Sequence, residues 1–475
     1  MKRFKINISV ILTMAMLFTS CEADLEQLPF DEFATENAFT TAQDFENAIR
    51  GAYSALTRGG FYGSSDQGSM LSAPDVLADN VTLAQAGRFT KRNLHDYLYN
   101  PNSTLLTLYN DVYTTVFRTN QILFFAESFE GESRDNIIAE AKALRALAHF
   151  NLVTLFGKIP TQSGDAGSSL GVAYVMQADP NIEPERLSVA ETYRLIVDDL
   201  EDAKSKINDT NPAGRMGKDA VRILLSRAYL YMGQWQNAVN TANEVSAPLA
   251  SREDVVGVWE DSSRSGLVFY IPNVDPILGN SIGIAWSQGS MNSLIPEYVA
   301  SFELYNLYAD DDIRKEAYTF EGASSGTQYN GIKKLFGRAG QSNGEVDYKI
   351  LRAAEAELNK AEAYFNIGNE SAARQALDQV RSRRYTNPPS GETGTALRDA
   401  IRLERRLEFA FEYQRFFDLK RWGLAVNRGN TGDQADGSGT PSNILNLPAN
   451  SNRFQLPIAQ ESLDANPNLR QNPGY

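Results

Sequence analysis

Two stretches of this chain share a spacing that leaves little freedom in what they fold into. In the first, within 217–245, Tyr229, Gly233, Trp235 and Ala238 stand at offsets 0, +4, +6 and +9. In the second, within 350–384, Tyr364, Gly368 and Ala373 stand at offsets 0, +4 and +9, with Glu370 in place of the second aromatic. A glycine between two helical runs turns the chain, and a small alanine lets the second helix lie close against the first. Each half of such a pair has an apolar face that it buries only by stacking on its neighbour.

This is the core of the tetratricopeptide pattern, and the rest of the chain agrees with a helical body. Apolar residues recur at helical spacing through 42–58, 104–126, 133–157 and 188–207. In the third run Ala141, Leu144, Ala148, Leu152 and Leu155 share one face, and Gly157 and Pro160 mark its end. Ser188 with Glu191 three residues on matches a capping box. From about 246 to 349 the texture changes: Gly, Ser, Asn and Pro are frequent, and Val255–Trp259 and Leu267–Ile271 read as strands. A second irregular stretch runs from Asn427 to Asn452. Long irregular segments inside a compact protein usually carry function, so the binding surface is expected there. The predicted fold class is mainly α, a tetratricopeptide-like helical-repeat scaffold with an irregular loop-rich lobe.

Composition narrows the chemistry. Across 475 residues there are 45 Lys plus Arg against 59 Asp plus Glu, a net charge of −14. Such a chain has no general attraction to phosphate backbones, so no nucleic-acid partner is expected. Two histidines and one cysteine exclude zinc fingers, Cys-ligated clusters and a disulfide framework, and no metal or cofactor is expected. His149 lies inside a helical run and reads as packed; His95, beside Asp96 in a polar segment, is expected at the surface. Two G-x-S-x-G matches, 167–171 and 322–326, lack a strand ahead of them, and both histidines precede both serines, against the hydrolase order. Asp310-Asp311-Asp312 lacks the alternation and turn glycine of an EF-hand loop and reads as a solvated helix start.

The N-terminus reads as an export signal. Lys2, Arg3 and Lys5 precede a short apolar run from Ile6 to Phe18, too short to span a bilayer. The signal ends at Ser20-Cys21, and Cys21 is the only thiol, which marks it as the lipidated first residue of a lipoprotein, although Phe18 stands where the usual lipobox has Leu. Acyl chains on Cys21 would hold the protein at a membrane without a spanning helix.

Four stretches resemble the SusD/RagB family of Bacteroidetes outer-membrane lipoproteins. They are Glu140–Ala146 running on to Leu155–Pro160; Leu225–Val245; Arg352–Gly368 with Arg402–Glu412 and Arg415–Gly423; and the chain end, Leu456-Pro457-Ile458 through Asn466–Leu469 to Gln471–Tyr475. The acidic Glu22, Asp24 and Glu26 resemble the surface-export signal of such lipoproteins. The resemblance implies a non-enzymatic protein at the cell outer membrane, lipid-anchored and facing outward. It would bind an oligo- or polysaccharide and deliver it to a SusC-like TonB-dependent transporter. A glycoside hydrolase or polysaccharide lyase, or a peptide-binding or structural partner of the transporter, are the alternatives. The implied organisation is a signal at 1–20, a tether at 21–40 and a single domain at 41–475. Within that domain the scaffold is 41–245 and 350–426, the lobe about 246–349, and the C-terminal segment 427–475.

Sugars combine polar edges with apolar C–H faces, so flat aromatics beside hydrogen-bonding groups are the candidate contacts. Trp235 and Trp422 read as scaffold packing and Trp259 as core, which leaves Trp286, in a Gly/Asn/Ser-rich loop, as the expected stacking platform. The family also draws contacts from the irregular segment ahead of 104–126. Here it offers Asp75, Asp79, Asn80, Arg88, Tyr97 and Tyr99 but no Trp, and Asp79-Asn80 equally suits a turn cap. The Arg402, Arg405 and Arg406 cations with Glu404, Glu408 and Glu412 read as an ion-pair network.

Overall fold

The computed structural model describes residues 38–103, 106–273 and 280–475. The expected export signal, Cys21 and most of the tether lie outside the described residues. The four periodic runs form α1 (Ala42–Ala55), α2 (Leu106–Phe125), α3 (Arg134–Phe156) and α4 (Val189–Lys206). α1 opens on a complete capping box: the Thr41 hydroxyl accepts from the Asp44 amide, and the Asp44 carboxylate accepts from the Thr41 amide at 2.7 Å. At α4 only half of the expected box forms. Ser188 accepts from the Glu191 amide at 3.2 Å, but the Glu191 carboxylate turns to Arg194 instead.

α3 packs between α2 and α4 and is buried on nearly all sides. Polar residues therefore survive on it only with partners. Arg145 makes a two-pronged bond to Asp199 at 2.7 and 2.8 Å. His149 is fully buried and stacked on Tyr174 at 3.8 Å. Its Nδ1–H donates to the Arg145 carbonyl at 2.9 Å and its Nε2 accepts from the Val175 amide at 3.1 Å. Both bonds require the neutral ring, and burial pushes His149 down to about 3.

The two repeat signatures become helix hairpins: α5 (Lys218–Tyr231) with α6 (Trp235–Asn243), and α7 (Ala353–Asn366) with α8 (Glu370–Arg381). Gly233 and Gly368 turn with φ of +71° and +81°, a region that L side chains rarely adopt, and Ala238 and Ala373 are fully buried at the helix contacts. α6 packs on α7, so the hairpins stack although a lobe is inserted between them in sequence. α9 (Gly394–Glu408) packs on α7 and α8, and α10 (Arg415–Arg421) follows. The fold is the mainly helical, tetratricopeptide-like one expected. Among the described residues no helix is long and apolar enough to cross a membrane.

The lobe is less irregular than its composition suggests. Short antiparallel pairs organise it: β1 (Val81–Leu83) with β5 (Tyr298–Ala300), β2 (Leu267–Ile271) with β8 (Tyr348–Arg352), and the hairpins β3–β4 (Ser287–Ser290, Ser293–Pro296) and β6–β7 (Thr319–Ser324, Thr327–Ile332). Leu267–Ile271 is the expected strand, but Val255–Trp259 is a short helix. Val255, Val258 and Trp259 bury themselves at spacings of three and four, which only a helical turn brings to one face. Trp259 is core, as expected.

A buried ion network joins lobe to scaffold. Glu408, at the end of α9, accepts from Arg384 at 2.8 and 2.9 Å, from Arg352 at 2.7 Å and from Arg314 at 3.3 Å. Glu412 takes Arg352 at 2.7 and 2.8 Å and Lys334, and Glu404 takes Arg314 at 2.6 Å. Burial alone would raise Glu408, but the surrounding guanidinium groups hold it well below the usual carboxylate range. The cations come from elsewhere than sequence suggested. Arg405 turns to Asp418, Arg406 to Asn80, and Arg402 joins no ion pair among the described residues.

Removing one member of such a network leaves its partners buried and unpaired. Glu408→Gln is therefore expected to lower unfolding free energy by about 3–5 kcal/mol in chemical denaturation, whereas Glu191→Gln at the exposed Arg194 pair changes it by about 0–1 kcal/mol. His149 gives a second expectation. A histidine with a depressed folded pKa contributes stability that is full above its unfolded value of 6.5 and is lost as pH falls toward about 3. Acid titration of thermal stability over that window checks it: His149→Gln flattens the slope, and an unchanged slope refutes the assignment.

Candidate functional site

Strand β1 ends at Leu83, and the chain then crosses the lobe surface as Ala84–Lys91 before a one-turn helix, Arg92–His95. Gly87 makes the crossing possible: a Cβ there would stand 2.2 Å from the Pro296 carbonyl oxygen. The next residues wrap around a buried carboxylate. Glu297 accepts from the Arg88 amide at 3.2 Å and Nε at 2.6 Å, and from the Thr90 amide at 3.3 Å and hydroxyl at 2.9 Å. Burial would raise Glu297, but the bonds from Arg88 and Thr90 hold it below its ordinary value.

That wrapping strains the backbone. Phe89 and Lys91 sit at φ of +59° and +57°, a region that costs a non-glycine residue roughly 1–2 kcal/mol. The result is a Phe89 side chain turned outward, 38% exposed, with the Arg92 guanidinium 5.7 Å from its ring. Arg88 keeps 41% of its side chain exposed and reaches Asp66 at 3.4 Å. Between Asp66, Phe89, Arg92, Asn93 and Ser103 lies a hollow of about 370 Å3. Strained residues that present a side chain to solvent cluster at ligand sites. An aromatic face beside a guanidinium, a carboxylate and an amide matches the mixed surface of a sugar.

Of the residues singled out from sequence, Arg88 alone has an exposed side chain here. Asp75 is buried and accepts from the amides of Phe411 at 3.2 Å and Tyr413 at 2.8 Å. Burial outweighs those bonds and pushes it up to about 7. Asp79 is clamped by Arg415 at 2.7 and 2.8 Å. Burial would raise it, but Arg406 and Arg415 hold it well below the carboxylate range. Asn80 accepts from Arg406 Nε at 2.9 Å. Tyr97 donates to the Leu77 carbonyl at 2.7 Å. Tyr99 lines the hollow but is itself buried, its hydroxyl committed to the Arg453 carbonyl.

The expectation for Trp286 is corrected. It is 1% exposed, set edge to face with Tyr298 at 6.4 Å and Phe411 at 6.3 Å. A 3-10 turn at Ile282–Ala285 folds inward ahead of it, so close that a Cβ on Gly283 would stand 1.9 Å from the Leu335 carbonyl oxygen. Trp286 has no ring face to offer a ligand. His95 is corrected likewise: it is fully buried, 3.0 Å from Asp96, and burial and Arg428 push it down to about 4. Phe89, Arg92 and Glu297 escaped the sequence reading. A positive φ at a phenylalanine and a carboxylate arriving from β5's approach leave no local pattern. Among the described residues no group of three His, Cys, Asp or Glu is placed to hold a metal ion.

The fold is a helical-repeat scaffold whose strained surface segment borders an open hollow. Comparison with known proteins gives the family. The model described as "SusD family" matches residues 284–475, and the one described as "Starch-binding associating with outer membrane" matches 33–230. The chain belongs to the SusD family. A relative in Formosa agariphila, SusD-like protein P2, is 26% identical with the whole of both chains covered. The crystal structure of a SusD superfamily protein from Bacteroides thetaiotaomicron is 27% identical, with TM-score 0.80 over 91% of this chain and 100% of that one. Surface glycan-binding protein A from Bacteroides uniformis shares the fold at 19% identity, with TM-score 0.72 over 91% of this chain and 99% of that one.

The burial of Trp286 carries a direct expectation. Trp286→Ala lowers stability by about 3–5 kcal/mol, the cost of emptying a large core side chain, as read by denaturant unfolding. Unchanged stability with altered ligand binding would return Trp286 to the surface.

Proposed function

We propose that this protein captures an oligo- or polysaccharide at the cell surface and passes it to a SusC-like TonB-dependent transporter, without catalysing a reaction. The observation that carries the reading is outward-turned Phe89 with the Arg92 guanidinium 5.7 Å from its ring over the hollow beside Asp66, next to half-exposed Arg88. Such a surface stacks one ring and hydrogen-bonds its edge, while its openness suits a long chain entering from the side. Membership of the SusD family and the description of the matching model as starch-binding and associated with the outer membrane support it. Asp75, Asp79, Asn80 and Tyr99 then serve by fixing the segment that carries Arg88, and Trp286 by filling the core beneath. Residues 1–20 act as the export signal, Cys21 as the lipid anchor at the outer membrane, 21–40 as the tether, and 41–475 as one domain.

Affinity electrophoresis of the mature chain, residues 22–475, against plant, algal and host polysaccharides, with product analysis on the same samples, tests this. Retardation without product is expected, and Phe89→Ala should weaken it about tenfold, the effect of losing roughly 1.4 kcal/mol, with melting unchanged, whereas Arg88→Ala should weaken it and also lower melting, because it leaves buried Glu297 without its cation. Released product would establish the enzymatic alternative. Retention by no glycan would favour a peptide ligand or a purely structural partnership.

A further inference from the structure

A second cleft, of about 200 Å3, opens on the helical scaffold where the α5–α6 turn, α7, α9 and the end of α10 meet. Its aromatic wall is Trp235, Phe365 and Trp422, all half-buried. Trp422 is fixed in place, its Nε1 donating to Glu362 at 2.8 Å. Glu362 in turn is neutralised by Arg421, at 2.6 Å through one of its nitrogens. Arg402 is compensated only in part, through space, by the same Glu362. Its guanidinium lies 4.8 Å from the Trp422 ring and makes no hydrogen bond or ion pair among the described residues. Burial lowers its pKa, Glu362 opposes the effect without cancelling it, and the neighbouring Arg398 and Arg421 add to it. The cleft thus holds a half-buried cation awaiting a counter-charge. Thr161, on its edge, has a hydroxyl that is buried and without a partner.

We propose that this cleft is a second ligand site, taking a single carboxylate-bearing sugar unit, a uronate, at its acidic group. The carboxylate pairs with Arg402 in the planar fork that guanidinium groups favour. The Thr161 hydroxyl supplies a second polar contact, and the C–H face of the ring lies against Trp235 and Phe365. At about 200 Å3 the cleft is smaller than drug-sized sites of roughly 300–1,000 Å3, so it admits one ring rather than a stretch of polymer. Neutral sugars leave Arg402 only partly compensated and are discriminated against. The site shares no residue with the hollow beside Phe89 and does not depend on the reading given to it.

Isothermal titration of the mature chain with methyl glucuronide, and with methyl glucoside as the neutral control, tests the proposal. Saturable binding of the glucuronide alone is expected, weakened by added salt. Arg402→Gln should weaken it about tenfold or more, the scale of a lost charge-assisted hydrogen bond, and Arg88→Ala should leave it unchanged. Arg402 makes no ion pair, so its variants should melt with the parent; if Arg402→Gln melts early, Arg402→Lys, which keeps the charge but loses the fork, decides by binding the glucuronide more weakly than the parent and still in a salt-sensitive way. Equal binding of the glucoside, undiminished binding by Arg402→Gln, loss of binding in Arg88→Ala, or no binding of the glucuronide each overturns it. Loss of binding in Arg88→Ala would move the glucuronide to the surface beside Phe89; the other outcomes leave retention of polysaccharide there untouched.

Discussion

The Glu408 carboxylate is the point on which lobe and scaffold depend. It sits at the end of α9 without access to solvent and is met by guanidinium groups from three directions: Arg314 from the lobe, Arg352 from the end of β8, and Arg384 after α8. A buried charge of this kind tolerates one arrangement, because any shift strands a carboxylate or a guanidinium in low dielectric. The lobe strands are short, three to six residues, and ladders of that length hold little by themselves. The charges fix where those strands stand relative to the stacked helices, and apolar packing fills in around them.

The same logic positions the candidate site. Asp79 and Asn80 are polar residues in a turn, and locally they look available. Their partners are Arg415 and Arg406 on the scaffold, so the turn is a bracket that fastens the surface segment to the helices. Asp75 performs a related task from inside: by accepting from the amides of Phe411 and Tyr413 it holds both residues at positive φ, and Phe411 then packs on Trp286. On this framework the chain crosses Gly87 and turns Phe89 outward over Glu297.

What was legible in the sequence follows from range. The long helices and the hairpins at Gly233 and Gly368 are written in spacings of three, four and nine, and they were read nearly to the residue. Leu267–Ile271 was readable as a strand, but Val255–Trp259 was not separable from one, since a five-residue apolar run suits either state. Arg88 was singled out through the family likeness and its side chain is exposed, whereas Phe89 and Glu297 left no local pattern. Trp286 shows the reverse failure: its Gly/Asn/Ser-rich surroundings have the texture of a surface loop, while its burial is decided by Tyr298 and by Phe411, over a hundred residues away. The unpaired Arg402 was hidden in a run of charges whose other members all found partners.

Asp79 and Asn80 are joined to arginines 336 and 326 residues further along the chain. A chain that emerges from its N-terminus therefore exposes its contact segment long before the groups that hold it exist. Until α9 and α10 have been made and docked, Asp79 and Asn80 lack the partners that fasten this segment to the scaffold, although Glu297 can already hold Arg88 and Thr90, and closing so long a loop is slow. The anchorage of this surface is thus a report on completion: only a molecule made to its last helices fastens it to the scaffold, and a chain cut short before Arg406 keeps Glu297 but loses both clamps.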